Sequence, residues 1–134
     1  MLITFCVGGC VIRHSDFAAP LVGNYQLVRT SAHQVTIVPI GGWSEGTPTI
    51  PSKVVEVAFD DRFILAKRQH LKPRPNSGYE EPVAGEFDFW ILDTGDPKTF
   101  GPFDEAEFGV KREELGISDR IQLRDANSLS PYSR

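Results

Sequence analysis

The chain has no cysteine after Cys10, and this absence limits the ways in which it can be stabilised. Its two cysteines are Cys6 and Cys10, both close to the N-terminus. The remainder of the chain therefore has no disulfide of its own, and no second pair of ligands with the spacing of a zinc site follows. A domain without cysteines folds alike in oxidising and reducing compartments, so cysteine content does not indicate where the protein resides.

Long apolar runs and an excess of positive charge are also missing. No segment approaches the roughly 20 consecutive apolar residues that a membrane-spanning helix requires. The net charge is -4, which argues against nucleic acid as a partner, because binding to a phosphate backbone needs clustered positive charge. No phosphate-binding loop, nucleophile elbow or dinucleotide-binding fingerprint occurs, so the sequence predicts no cofactor.

The first ten residues contain the pattern of a bacterial lipoprotein leader. Val7, Gly8 and Gly9 place one aliphatic and two small residues before Cys10. A lipoprotein signal peptidase needs this pattern because small side chains admit the backbone to its site. The pattern predicts lipidation of Cys10, with residues 1–10 as the leader-like segment. Acyl chains on Cys10 would then hold the protein on a membrane surface.

A second interpretation of the N-terminus stays open, because the segment lacks the positively charged start of a secretory leader. No Lys or Arg precedes Arg13, and the apolar stretch from Leu2 to Gly9 is short for a leader. In this interpretation Met1 is retained, and the apolar residues form a strand packed within the fold of a cytosolic protein.

After the leader-like segment, the sequence predicts a tether, one domain and a tail. Residues 11–20 lack a clean hydrophobic period and are interpreted as the tether. Residues 21–124 are predicted to form a single α+β domain, because 134 residues are typical of one domain. Residues 125–134 are predicted to be a flexible tail.

Alternating apolar residues predict antiparallel strands throughout the domain. The predicted strands are residues 24–30, 34–39, 51–59, 63–69, 87–93 and 99–103, with a short strand over residues 121–123. Residues 72–86, which contain three prolines and two glycines, are predicted to be a long exposed loop.

One helix is predicted after the last long strand. Asp104 is the expected N-cap, and Glu107 completes a capping box with it. Phe103 and Phe108 are placed to form a hydrophobic staple, and Gly116 to end the helix in the left-handed conformation. Strands followed by a helix predict an α+β fold, in which an antiparallel β-meander of about five to seven strands carries one C-terminal helix packed on the sheet.

The candidate catalytic groups are His33, Asp60 and Asp61. Adjacent carboxylates can divide the roles of acid and base, and an imidazole can activate a nucleophile within hydrogen-bond reach. Asp-Asp-Arg is also an ordinary turn sequence, so turn formation is the competing explanation. His14 and His70 are far apart in the sequence and are predicted to be surface or turn residues, so no metal site is predicted.

Two further features suit binding. Lys67, Arg68, Lys72 and Arg74 form a small basic cluster that could meet anionic headgroups or a wall polymer, although a solvated strand end explains it equally simply. Trp43 lies in a glycine-rich loop, where an aromatic side chain makes a good contact point if it faces solvent. The sequence nevertheless favours Trp43 folding back over a sheet edge.

Seven segments of the chain carry a resemblance to a known family. They are Gly23–His33, Ile50–Asp61, Phe63–Lys67, Phe89–Asp93, Gly101–Asp104, Glu107–Phe108 and Leu115–Ser118. Through them the chain resembles a family of short bacterial proteins of unknown function, whose members generally carry a lipoprotein leader. The resemblance implies lipidation of Cys10, and it implies no catalytic or binding residues.

These features predict a non-catalytic binding module of the bacterial cell envelope. Lipid on Cys10 anchors it to a membrane, and its partner is an envelope protein or a wall component. One alternative is a soluble cytosolic domain with the N-terminal apolar segment packed in the fold. Another is a small enzyme with a site near His33 and Asp60 or Asp61.

Overall fold

The computed structural model describes residues 16–130 of the chain. The leader-like segment with its predicted lipidation site Cys10 lies outside the described residues, as do His14 and residues 131–134. The strands, the helices and their contacts all belong to residues 16–130.

Within this range the chain forms eight strands and one α-helix, which confirms the predicted α+β fold. The strands are β1 (Phe17–Pro20), β2 (Tyr25–Arg29), β3 (Val35–Pro39), β4 (Val54–Phe59), β5 (Phe63–Pro73), β6 (Glu80–Asp93), β7 (Lys98–Phe103) and β8 (Arg124–Asp125). The helix α1 spans Glu105–Glu114, and a 3-10 helix spans Ala126–Leu129.

The strands form two antiparallel sheets. One sheet has the order β1-β2-β3, and the other has the order β7-β6-β5-β4-β8. Strands β4 to β7 follow one another as the predicted meander, and β8 returns along the edge of β4. The described chain is therefore a sandwich of a small and a larger sheet, with α1 on the outer face of the larger one.

The two sheets pack around an aliphatic core. Leu27 of β2, Ile37 of β3 and Ile64 of β5 are fully buried there. Successive side chains of a strand point to opposite faces, so the alternation in β2 and β3 turns one apolar face inward. Burying each of these side chains contributes about 1.5–3 kcal/mol, which is why the small sheet stays on the larger one.

Helix α1 packs on the other face of the five-stranded sheet. Phe108 of α1 stacks on Phe89 of β6, with 4.9 Å between the ring centroids. Leu65 and Ile91 are fully buried beneath the two rings, and Ile117 packs into the same cluster just after the helix.

The central strands β5 and β6 serve both cores. In β5, Ile64 and Ala66 face the small sheet, whereas Leu65 faces α1. In β6, Leu92 faces the small sheet and Ile91 faces α1. Strands covered on both faces have apolar residues at consecutive positions, and residues 87–93, which are predicted to be a strand, show this pattern.

The sandwich has two ends, each marked by a contact between the sheets. A Cβ atom at Gly23 would lie 2.8 Å from the Cβ of Thr94, so the turn before β2 lies directly against the turn after β6. At the opposite end, Gln34 donates a hydrogen bond of 3.5 Å to Glu80 at the start of β6. We call these the Thr94 end and the Gln34 end.

The predicted boundaries of α1 are confirmed by its capping contacts. The backbone N–H of Glu107 donates to the Asp104 carboxylate, and the backbone N–H of Asp104 donates to the Glu107 carboxylate, each over 2.8 Å. Gly116 has a φ of 71°, which favours glycine because it has no Cβ. The buried Ile117 then folds back onto the helix.

In the structure, the folded domain extends beyond the predicted residues 21–124 at both ends. Residues 17–20, assigned to the tether, form β1 and pair with β2. Ala126, assigned to the tail, is the first residue of the 3-10 helix and is buried in the core between the sheets. A four-residue strand in which Phe17 and Ala19 are buried is too short to produce a detectable hydrophobic period.

The long loop predicted over residues 72–86 is instead the tip of a hairpin. Strand β5 continues to Pro73, and Leu71 pairs with Pro82 of β6. Proline is tolerated in a strand where its missing N–H is not required by the neighbouring strand, so proline content alone indicated a loop where the strands continue. Residues 121–123 form no strand, and β4 pairs instead with β8 just after them.

Candidate functional site

The two aspartates of the candidate catalytic site are turn residues. Asp60 lies between β4 and β5, where its carboxylate accepts hydrogen bonds from the backbone N–H groups of Arg62 (2.8 Å) and Phe63 (2.6 Å). Asp61 is exposed in the same turn. The Arg62 carbonyl also accepts from the backbone N–H of Thr94, so this turn lies at the Thr94 end.

His33 lies at the other end of the molecule, and the structure does not bring it to Asp60. It belongs to the turn between β2 and β3, next to Gln34. Strand β2, with five residues, separates this turn from the Thr94 end by about 15 Å. The His33 Nδ1 atom is buried and has no hydrogen-bond partner in the described part of the chain. A base and an acid that act together must lie within hydrogen-bond reach.

A buried polar network, which the sequence alone did not reveal, surrounds Asp88 of β6. Asp88 is only 6% exposed. Its carboxylate lies 2.9 Å from Arg68 Nη1, 2.8 Å from His70 Nε2 and 2.7 Å from Trp90 Nε1. Arg68 Nε donates to the carbonyl of Ser52 over 2.6 Å. A buried carboxylate needs such donors because removal from water penalises its charge.

The Asp88 network lies on the face of the larger sheet that the small sheet covers. Arg68 continues the alternate positions of Ile64 and Ala66, and it stands directly opposite Asp88 in the β5–β6 register. The Arg68–Asp88 pair could have been found from the sequence only with the correct register. Because residues 72–86 were predicted to be a loop, the hairpin that pairs β5 with β6 was not recognised, and its register could not be deduced.

Asp93 and Arg62 form a second ion pair, at the Thr94 end. Arg62 Nε and Nη2 donate to the two carboxylate oxygens of Asp93, each over 2.8 Å. The backbone N–H groups of Gly95 and Asp96 also donate to Asp93. The Arg62 hydrogen bond, followed by these backbone donors, holds the pKa of the Asp93 carboxyl below its ordinary value, although burial acts in the opposite direction. Asp93, the last residue of β6, thus stabilises the turn that follows the strand.

The predicted basic cluster does not form one patch. Lys67 and Arg68 are consecutive in β5 and point to opposite faces of the sheet. The Lys67 ammonium lies 4.4 Å from the centroid of the Phe87 ring, whereas Arg68 belongs to the Asp88 network. Arg74 pairs with Glu81 at 3.5 Å near the hairpin tip. These basic residues are close in the sequence, but in the structure their charges are not concentrated on one surface.

Trp43 is exposed, contrary to the expectation that it folds back over a sheet edge. Its exposed fraction is 56%, and Ile40 at the start of the same loop is 41% exposed. The loop is fixed at its base, where the Tyr25 hydroxyl donates to the Pro48 carbonyl over 2.9 Å. Gly41 and Gly42 between β3 and Trp43 both have positive φ angles and carry the chain away from the sheet.

A groove of about 670 Å³ lies between α1 and the segment that follows it. Its floor contains the stacked rings of Phe89 and Phe108. Its rim contains three carboxylates, from Glu105 and Glu113 of α1 and from Asp119 of the following segment. The volume is within the range of ordinary ligand sites, about 300–1,000 Å³, and an apolar floor with a few polar groups is typical of them.

Arg112 fixes the far wall of this groove. Its Nη2 donates to the carbonyls of Ser118 (2.7 Å) and Ile121 (2.8 Å), which holds the segment after α1 in place. The cation of Arg112 also lies 5.8 Å from the centroid of the Phe108 ring. Arg112 Nη2 therefore holds the wall, its Nε is buried without an acceptor in residues 16–130, and the other charges that line the groove are negative.

Residues 16–130 show no signal of a metal centre or of a membrane span. This part of the chain contains no group of three or more His, Cys, Asp or Glu side chains arranged to hold a metal ion. It also contains no helix that is both long and apolar enough to cross a membrane.

Comparison with known proteins identifies one family. A family model described as "Protein of unknown function (DUF3997)" matches residues 22–127, which is most of the chain. Comparisons with curated proteins and with solved structures found no significant match.

Proposed function

Because the chain belongs to this family of proteins of unknown function, we propose its function from its own structure: it is a non-catalytic binding module of the bacterial cell envelope, anchored by lipid on Cys10. The observation that carries the binding role is the groove beside α1. It combines a volume of about 670 Å³ with an aromatic floor and an acidic rim.

The charges at the rim indicate the chemistry of the partner. Glu105, Glu113 and Asp119 leave the mouth of the groove negative, while Arg112 is occupied by backbone carbonyls. A segment of an envelope protein that presents basic and apolar side chains complements this surface, because opposite charges guide association and apolar contact on the floor holds the complex.

The positions of the titratable groups support binding rather than catalysis. His33 and Asp60 lie at opposite ends of the sandwich, so they do not form an acid–base pair. His70 lies 2.8 Å from Asp88, a contact within the buried polar network, and 4.0 Å from the exposed carboxylate of Glu86.

The proposed anchor is consistent with where the described body begins. Strand β1 starts at Phe17, so residues 11–16 separate Cys10 from the folded sheet. Such a segment spans at most about 25 Å. A lipid on Cys10 would therefore hold the Gln34 end, where β1 begins, close to the membrane surface. One acyl chain gives only reversible binding, and the diacylglycerol of a bacterial lipoprotein anchors more firmly.

The anchor is tested by the mass of the native N-terminus. Material purified from the source organism should begin at a diacylglycerol-modified Cys10 and should sediment with membranes until detergent is added. A Cys10→Ala variant should remain in the soluble fraction. An intact Met1 on protein that never sediments would refute the anchor and support the cytosolic alternative.

The groove is tested by site-specific photo-cross-linking. A photoreactive residue in place of Gln122, which lines the groove, should capture a defined partner, and the same residue in place of the exposed Lys98 of β7 should not. Adding Glu113→Lys to the Gln122 probe should lower the yield about tenfold, because it places a like charge against a basic partner.

Glu45→Lys makes the same charge change in the exposed loop that contains Trp43, so it serves as the matched control. If both reversals lower the yield equally, or if the Lys98 probe captures the same partner, the groove is not the binding site.

A further inference from the structure

A second cleft, of about 290 Å³, lies at the edge of the small sheet. Three parts of the chain meet in it: the turn that joins β2 to β3 with the adjoining strand ends, the start of β4, and the segment from β8 into the 3-10 helix. Its charged side chains are those of Arg29, Lys53 and Asp125.

Arg29 is oriented in this cleft but has unused donors. Its Nη1 donates to Asn127 Oδ1 over 2.7 Å, which fixes the guanidinium at one corner. Its Nε atom is buried without an acceptor in residues 16–130. A guanidinium carries five N–H donors in a planar fork, and that geometry suits a phosphate group.

Lys53 supplies a second cation. It forms no ion pair within residues 16–130 that would neutralise it, unlike Arg62, Arg68, Arg74 and Lys111. Asp125 is the acidic residue in the lining, and its Oδ1 accepts from the backbone N–H of Asn127 at the start of the 3-10 helix. The cleft therefore presents two cations against one partly occupied carboxylate.

The cleft also lies beside the point where the chain enters the fold. Phe17, the first residue of β1, pairs directly with Arg29 across β1 and β2. The cleft therefore lies beside the start of β1, whereas the groove beside α1 lies on the helix face of the larger sheet.

We propose that the cleft between Arg29 and Lys53 binds a phosphate group. The guanidinium donates to two phosphate oxygens and the ammonium neutralises the remaining charge, as charge-assisted hydrogen bonds to phosphate do in general. A phospholipid headgroup and a soluble phosphate ester share this chemistry, and the position beside β1 places the cleft where a headgroup could reach it.

The site can be tested on the purified, unacylated full chain, so the result does not depend on lipidation of Cys10. Titration with inorganic phosphate should shift the Arg29 Nε–H resonance and the backbone resonances of Lys53. Co-sedimentation should be higher with vesicles containing phosphatidylglycerol than with vesicles of phosphatidylcholine alone. Lys53→Gln should weaken both responses about tenfold, the loss expected for one charge-assisted contact.

Lys72→Gln is the matched control, because it removes the same charge from an exposed residue of the hairpin. If inorganic phosphate saturates the site and the protein binds both kinds of vesicle equally weakly, the ligand is a soluble phosphate ester. Binding to phosphatidylglycerol vesicles that Lys53→Gln weakens, without saturation by inorganic phosphate, identifies a headgroup. Equal losses in Lys53→Gln and Lys72→Gln, or no response in either assay, would overturn the proposal.

Discussion

The two faces of the five-stranded sheet are covered in different ways. The small sheet covers one face with interdigitating aliphatic side chains, and the fully buried residues there include Leu27, Ile37 and Ile50. Helix α1 covers the other face with ten residues and relies on stacked aromatic rings. A single short helix cannot cover a sheet of five strands, so the helix face retains the larger groove, whereas the small sheet covers the other face, here called the closed face, up to the cleft beside Arg29.

Under the proposed function, this difference separates the residues that stabilise the fold from those that bind a partner. On the closed face, the buried Asp88 carboxylate is paired, because it accepts from Arg68, His70 and Trp90. On the helix face, the carboxylates of Glu105 and Glu113 line an open groove. We therefore expect substitutions on the closed face to cost stability, and substitutions around the groove to cost binding with little loss of stability.

The largest effect is expected from Leu27→Ala on the closed face. Leu27 is fully buried between the sheets, so the substitution should lower the free energy of unfolding by about 4 kcal/mol through lost burial and a cavity. Urea denaturation measures this. Val110→Ala removes aliphatic carbons from α1 at a side chain that is 61% exposed, and it should change stability by less than about 0.5 kcal/mol. Similar losses for both variants would show that the two faces do not differ.

A somewhat smaller effect is expected from Asp88→Asn, which keeps the shape of the side chain and removes its charge. Arg68 would then be a mostly buried cation without a counter-ion, at a cost of about 3 kcal/mol. Denaturation followed by tryptophan fluorescence is suitable, because Trp90 donates to the same carboxylate. Glu86→Gln alters the exposed carboxylate 4.0 Å from His70 and should have almost no effect. Stability unchanged by Asp88→Asn would mean that the network does not hold the core.

The smallest effect, and one that depends on pH, is expected from Asp93→Asn at the Thr94 end. The pKa of Asp93 is lower in the folded chain than in the unfolded chain. Its contribution to stability is therefore complete above the unfolded pKa and is lost as the pH falls through the folded pKa. The variant should be less stable by about 1 kcal/mol at neutral pH and equal to the parent in strong acid.

Denaturation curves between neutral and strongly acidic pH measure this convergence. Asp61→Asn makes the same chemical change in an exposed residue of the neighbouring turn, and its stability should run parallel to that of the parent. A constant difference between Asp93→Asn and the parent at every pH would exclude ionisation as the cause.

The sequence predicted the fold class and the helix because the signals for both are local. Asp104 and Glu107 lie three residues apart, and their capping box depends on nothing outside the first helical turn. Arg68 and Asp88 are 20 residues apart in the sequence, and their pairing depends on the register of the hairpin between them. The prolines in that hairpin led to the prediction of a loop, so the register was not predicted. The groove was equally hidden, because Phe89, Glu113 and Asp119 are brought together only by packing.

The shared use of β5 and β6 has a consequence for how the protein tolerates insertions. Consecutive residues such as Ile64 and Leu65 belong to different cores. One residue inserted within either strand would therefore turn every following side chain of that strand to the opposite face of the sheet. Extra residues at the hairpin tip, between Arg74 and Tyr79, leave that assignment intact. Length variation among homologous chains is accordingly expected at the tip, and the central strands should keep a fixed length.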